Sequence, residues 1–381
     1  MQEVHAKSVY LDSASTTKIH DEIIRDVHTL MKEYYGNADS LHKMGQRVSS
    51  LLRQSREAIA KMLQVLPHEV IFTSGGSESN ASAIKGICFS DMSRKHIITS
   101  NIEHASVNET LNQLERLFGY EVTRLKVNEA GIVPLQQLKE SLRNDTVLVT
   151  FMSVNNEIGS IFPISDYAQM IKKYSNAYFH VDGVQGFSKT DLSLKQVDSY
   201  AISAHKLGGV KGSGLLIKKS NVPFEPLIPA GQQEFGLRGG TVDSISAIVF
   251  AKTIRLALED HQKYDTKIKR LNQKLWDAFD GVDGIIINSP KNGSPYIFNV
   301  SIENVGSEIM MNALNLADIY VSAKSTCHSE SNQPSHVLKA IGRTHKQALS
   351  SIRLSLSSEI TEEDIESVIK VILETKDYVQ H

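Results

Sequence analysis

The sequence predicts an α/β protein, with a large, mostly parallel sheet covered by helices and a smaller α+β unit following it. Three observations carry this. Between residues 69 and 219, short β-rich runs alternate with amphipathic stretches, the strand–helix–strand order of a parallel sheet covered on both faces. Beyond residues 255–265 the order changes to helix, two strands, helix, strand and closing helix. Hydrophobic residues make up 41% of the 381, which is enough to fill more than one core.

In chain order, Gln46–Leu63 reads as a long amphipathic helix, with Val48, Leu51, Leu52, Ile59 and Leu63 in helical register. Strands are expected at Val70–Thr73, His96–Thr99, Thr146–Phe151, Tyr178–Asp182, Ser199–Ser203 and Gly214–Lys218, with helices at Ala105–Leu117 and Ile164–Tyr174. Val242–His261 and Lys269–Phe279 are expected as two separate helices. The second unit then reads as strands Ile285–Asn288 and Ile297–Ile302, helix Glu308–Leu316, strand Ser351–Ser355 and helix Glu362–Glu374. The first residues are expected to pack on this second unit.

Charge is balanced, with 41 Lys+Arg against 43 Asp+Glu and a net charge of −2. That argues against a nucleic-acid or membrane-surface partner. The two cysteines, Cys88 and Cys327, exclude a disulfide framework and a cysteine-based zinc site and fit a reducing compartment. No apolar run approaches the roughly 20 residues that span a bilayer, and Met1–Thr17 has no apolar signal core. A cytoplasmic location is expected.

Several polar islands interrupt this apolar pattern. Thr73-Ser74-Gly75-Gly76-Ser77-Glu78 is a strand end, a glycine pair and a cap-like serine. Such a turn admits a phosphate at a helix N-terminus, and it also opens ordinary helices. Asp182 ends one strand, and Lys206 follows another in Ser203-Ala204-His205-Lys206. A lysine there is commonly a surface residue. A buried aspartate with a lysine nearby is also what pyridoxal phosphate (PLP) requires, the amine for its aldehyde and the carboxylate for its ring nitrogen. Glu103-His104 is either a helix cap or a ring-stacking imidazole, and Asn155-Asn156 either a turn or a donor. Cys88 sits in apolar Gly86-Ile87-Cys88-Phe89 and reads as core. Cys327 sits in a wholly polar stretch, Lys324–Gln333, which reads as an exposed loop.

The order of these motifs resembles the cysteine desulfurases of the class V aminotransferase family across almost the whole chain. The resemblance also rests on Tyr10-Leu11-Asp12-Ser13-Ala14-Ser15-Thr16-Thr17, Gly36-Asn37-Ala38-Asp39-Ser40-Leu41-His42, Arg238-Gly239-Gly240-Thr241, Pro334-Ser335-His336-Val337-Leu338 and Ser351-Ile352-Arg353. It implies a PLP-dependent transferase fold of type I. Residues 15–260 would form a large domain with a mostly parallel seven-stranded sheet, and residues 1–14 and 261–381 a small α+β domain. By position, Lys206 resembles the Schiff-base lysine, Asp182 the pyridinium partner and His104 the ring-stacking histidine. Asn156 and Gln185 match contacts to the phenolic oxygen, and Gly76, Ser77, Ser203 and His205 match the phosphate cradle. Thr241 matches the residue that reaches the other subunit's cofactor, which implies a homodimer. Arg353 matches the substrate-carboxylate arginine, with Asn37 near the substrate, and Cys327 the persulfide-forming nucleophile of the long-loop subgroup. The implied reaction takes L-cysteine to L-alanine and passes sulfur to an acceptor protein of iron–sulfur assembly or tRNA thiolation. A selenocysteine or cysteine-sulfinate lyase on the same scaffold is the nearest alternative, and a non-catalytic sulfur-relay subunit a more distant one. Lys324-Ser325-Thr326 and Ala230–Phe235 depart from the family pattern and suggest a specialised paralogue.

Overall fold

The computed structural model describes residues 8–191, 193–323 and 333–380. Cys327 lies outside the described residues. Strands β1 (Val9–Tyr10), β2 (Val70–Thr73), β3 (His96–Ser100), β4 (Glu121–Leu125), β5 (Thr146–Met152), β6 (Tyr178–Asp182), β7 (Ser199–Ser203) and β8 (Gly214–Lys218) come first, and all but β1 build one seven-stranded sheet in the order β2-β8-β7-β6-β5-β3-β4. The pairs from β4 through β7 are parallel, whereas β8 runs antiparallel to both β7 and β2. Strands β5, β7 and β8 are buried along their whole length, as both-face coverage demands.

Helices α1 (Asp21–Glu33), α2 (Lys43–Leu63), α3 (Gly76–Ser90), α4 (Ala105–Phe118), α5 (Leu135–Ser141) and α6 (Ile164–Tyr174) precede or connect these strands. The edge strand β4 escapes a hydrophobicity reading because it carries Glu121, Thr123 and Arg124 and is partly exposed; charged edges of this kind discourage edge-to-edge pairing. The cap of α3 also differs from expectation. It is Gly75, at φ 152°, and Ser77 already lies inside the helix.

The largest correction concerns the two helices expected at 242–261 and 269–279. They form one 36-residue helix, α7 (Ser244–Phe279). Phe250, Ile254 and Ala257 belong to the core of the large sheet, while Ile268, Leu271, Leu275 and Phe279 belong to a second core. The polar run between them is helix crossing from one core to the other. Ion pairs one turn apart support it, among them Arg255–Glu259 at 2.8 Å and Lys269–Asp265 at 2.6 Å.

The second core is formed by α7, the antiparallel sheet of β9 (Ile285–Ile287), β10 (Ile297–Ile302) and β12 (Ser351–Ser355), and helices α8 (Ser307–Leu316) and α11 (Glu362–Gln380). Two-residue β11 (Ile319–Tyr320) pairs in parallel with β1, and Val9 and Leu11 join this core. The N-terminal segment then runs across to the large sheet. Short helices α9 (His336–Ala340) and α10 (His345–Leu349) complete the described elements.

A buried ion pair ties α2 to the segment before Arg238. Arg56 donates to Glu234 at 2.6 and 2.8 Å, and to the carbonyl of Val70. Its guanidinium lies over the rings of Phe72 and Phe235 at 4.7 and 5.0 Å, and Glu234 also accepts from the backbone N–H of Phe72 at 2.8 Å. Glu234 and Phe235 both hold left-handed backbone, at φ 48° and 59°, which these contacts must overcome. Removing one partner leaves a buried charge uncompensated. Glu234→Ala is therefore expected to lower unfolding stability by about 3–5 kcal/mol, read from urea titration. An unchanged midpoint would show that the pair contributes nothing.

Candidate active site

Open α/β sheets present ligand-binding groups beyond the carboxyl ends of their strands. Here the segments following β2, β3, β5, β6 and β7 meet at one cavity. It is lined by Gly76, Ser77, His104, Asn156, Asp182, Gln185, Ser203, His205, Lys206 and Arg353, together with Asn80 and Ser106.

Asp182 ends β6 and is 5% exposed. Its carboxylate accepts from the Asn80 amide at 2.9 Å and from the Val184 N–H at 3.0 Å, and no described cation pairs with it. Asn80 also donates to Ser106 Oγ at 2.9 Å. Its amide nitrogen is thus committed, so its oxygen must accept from His180 Nε2, 3.0 Å away. His180 Nδ1 then accepts from Ser199 Oγ at 2.9 Å. The Asn80 amide places a hydrogen on His180 Nε2, and burial keeps the ring neutral by pulling its pKa down to about 3. A sequence reading assigns no role to Asn80 or His180. The available signal was that Asn80 stands one helical turn beyond Ser77 on α3.

Lys206 follows β7 in a single 3-10 turn. Its Nζ donates to the carbonyls of Ala14 and Ser15 at 2.6 Å each, so the N-terminal segment forms the far wall of the site. The neighbouring His205 has its pKa pulled to about 4, by burial first and then by the charges of Lys206 and Lys211. His104 caps α4, its Nδ1 accepting from the Ser106 N–H at 3.1 Å, while its ring lines the cavity. Glu103 beside it is wholly buried, and desolvation raises its pKa to about 8 despite a hydrogen bond from Ser100.

Gly76 opens α3 where a Cβ would lie 2.6 Å from Val184 Cγ2, so glycine keeps this corner clear. The first N–H groups of α3 have no intrahelical partners, which makes the corner an anion cradle with Ser77 and Ser203 beside it. Gln185 donates to the Ala14 carbonyl at 2.8 Å, and its buried Oε1 has no partner among the described residues.

Arg353, on β12, is 2% exposed. It donates to the Asn156 carbonyl at 2.9 Å, Asp12 at 2.8 Å and Ser15 Oγ at 2.7 Å, and its buried Nε has no partner among the described residues. Asp12 and Ser15 thus aim the guanidinium while leaving a donor for an incoming anion.

Two expected residues stand outside this cavity within one chain. Thr241 is exposed, and Asn37 lines a separate cleft near Gln232 and Gln233. The Arg238 segment is nevertheless clamped onto α3. Arg238 donates to Glu78 at 2.9 Å, and Glu78 accepts from the Ser74 N–H at 2.7 Å. Burial opposes the ionised form of Glu78, but these hydrogen bonds outweigh it and hold the carboxyl below its usual range.

The mostly parallel sheet, with a lysine and a carboxylate at adjacent strand ends, is the architecture of PLP-dependent transferases. The aminotransferase class-V family matches residues 9–368, and the chain belongs to that family. A cysteine desulfurase IscS of Dictyoglomus turgidum is 38% identical over 96% of this chain and 94% of its own. A solved NifS-like protein superimposes with a TM-score of 0.90 at 33% identity, covering 98% of this chain and 100% of its own. SspA, solved in complex with cysteine, superimposes with a TM-score of 0.80 at 31% identity, covering 93% and 100%. Among the described residues no helix is long and apolar enough to cross a membrane.

The neutral His180 has a consequence for stability. Its folded pKa of about 3 lies below that of a free imidazole, so the unfolded chain takes up the proton first as pH falls. Stability is therefore full above about pH 6.5 and declines below it, by up to about 1.4 kcal/mol per pH unit from this one group. Urea titrations of His180→Gln between pH 7 and 5 should show a shallower decline than the parent protein. Parallel declines would remove His180 as a source of the acid sensitivity.

Proposed function

We propose that this protein is a PLP-dependent cysteine desulfurase that takes L-cysteine to L-alanine and leaves the sulfur as a persulfide on Cys327. The observation that carries the reading is the meeting of Lys206, Asp182, His104 and Arg353 on one cavity. The relatives named cysteine desulfurase support the choice of substrate.

The residues fit the cofactor. Asp182 is a buried carboxylate met only by neutral donors, and a protonated ring nitrogen supplies the cation it lacks. The corner at Gly76 suits the phosphate, and the face of His104 suits the ring. When bound, PLP supplies a sink for the electrons released at the substrate Cα.

The chain's own groups would then act as follows. Lys206 would hold the cofactor through Nζ, and the same amine would move the proton at the substrate Cα. Asp182 keeps the proton on the ring nitrogen, and the Asn80–His180 chain holds Asp182 in place. Arg353 binds the substrate carboxylate through its remaining donors and so fixes Cα relative to Nζ. The Cys327 thiolate attacks the substrate sulfur, forming an S–S bond while the C–S bond breaks, and Cβ of the product takes up a proton. Cysteine and one protein thiol thereby give alanine and one protein persulfide. Cys88 is unsuited to this role because it is fully buried and burial pushes its thiol pKa far up. Thr241 and Asn37 would complete the site of a second subunit in a homodimer, and an acceptor protein would discharge the persulfide.

Lys206→Ala should purify without the visible absorbance of a lysine-bound cofactor and form no alanine. A coloured, active Lys206→Ala protein would sink the assignment. Cys327→Ser should keep the colour but yield no persulfide on the 324–333 peptide by mass spectrometry and essentially no alanine, while Cys88→Ser stays near the parent rate. Alanine formation surviving in Cys327→Ser would instead indicate a lyase.

A further inference from the structure

A second pair of cavities lies behind the N-terminal segment, between α7 and the loop that follows β6. Lys189 and His261 line both of them. Lys189 is half-buried, yet its ammonium has no hydrogen bond or ion pair with any described residue. Its Nζ lies over the ring of Tyr296, 5.4 Å from the centroid, and burial lowers its pKa to about 8.

The other cations of these walls are engaged. Lys18 pairs with Glu359 at 3.1 Å, Lys269 with Asp265 at 2.6 Å and His20 with Asp260 at 3.6 Å, while Lys206 is held by backbone carbonyls. His261 contacts the Tyr296 hydroxyl at 3.1 Å. The rim carboxylates Asp21, Asp166 and Asp191 are exposed, where water already stabilises them. A cation–π contact offsets only part of the cost of burying an amine, so an anion is the group this place lacks. The wall of the same cleft also carries the apolar Ala257 and Leu356.

We propose that this cleft binds a small organic carboxylate, its carboxylate on Nζ of Lys189 and its short apolar body against Ala257 and Leu356. The site is separate from the cavity that holds Asp182 and Arg353. Lys206 and the N-terminal segment stand between the two.

Competitive acylation of the holoenzyme with acetic anhydride, read by quantitative peptide mass spectrometry, tests this with sodium butyrate as the probe. At twice its dissociation constant, butyrate should slow acylation of Lys189 about threefold by simple occupancy. It should leave the exposed Lys172 unaffected, and butan-1-ol or sodium chloride at the same concentration should not protect Lys189. The same protection should persist in Arg353→Lys. Four results would overturn the proposal: a Lys189 that does not react although Lys172 does, equal rates with and without butyrate, equal protection by butanol or chloride, or protection lost in Arg353→Lys. The last would assign the butyrate to the other cavity.

Discussion

Asp182 is a carboxylate sunk at the end of a central strand and surrounded by neutral donors, and much of the site is arranged around that cost. A buried charge needs a cation or a full set of hydrogen bonds. Asn80 and the Val184 N–H supply two, and the network behind Asn80 ends at a histidine kept neutral. A protonated His180 would put a rival positive charge close to the one the ligand brings. Neutrality in the support keeps the carboxylate's demand directed at the ligand. The rigidity needed to hold it comes from β5, β6 and β7, paired in register and buried between helical layers.

The N-terminal segment is the second dependency. Its strand β1 belongs to the second core, yet the carbonyls of Ala14 and Ser15 receive Lys206, and Asp12 and Ser15 receive Arg353. One stretch of backbone therefore sets the distance between an amine on the large sheet and a guanidinium on the small one. The unbroken helix α7 reinforces that spacing, because a continuous helix between two cores resists bending where a flexible linker would not.

Most of the strands were legible in the sequence because buried parallel strands are short apolar runs bounded by turn residues, as Val70–Thr73 and Tyr178–Asp182 show. What failed had specific causes. The polar middle of α7 carries no core-facing stripe, since no core lies beside it, so hydrophobicity reads it as a break. The charged edge strand β4 hides for a related reason, and the antiparallel direction of β8 leaves no trace in composition. In the site, Asp182 and Lys206 stood out as charges ending apolar strands. Asn80 did not, because an asparagine on a helix signals nothing until the sheet it faces is known. The aiming of Arg353 by Asp12 and Ser15 joins residues more than three hundred positions apart, which no local pattern encodes. The Lys189 ammonium was likewise invisible, since only the fold reveals that no described carboxylate pairs with it.

The described residues on either side of 324–332 bear on where sulfur chemistry is possible. Upstream, Ser322 bridges the backbone of Arg353, accepting its N–H at 2.6 Å. Downstream, Ser335 donates to Glu157 at 2.5 Å, and Glu157 follows Asn156, whose carbonyl accepts from Arg353. Asn299 on β10 holds the Glu157 carbonyl in turn, at 3.1 Å. The chain segment that contains Cys327 thus leaves from and returns to the surroundings of the arginine assigned to the substrate carboxylate. The upstream mooring is on β12 and the downstream one on the turn that follows β5. The proposed reaction places two different requirements on these surroundings. In the proposed reaction, binding and proton transfer need fixed groups on strand ends, whereas handing sulfur to another protein needs a nucleophile that reaches that protein.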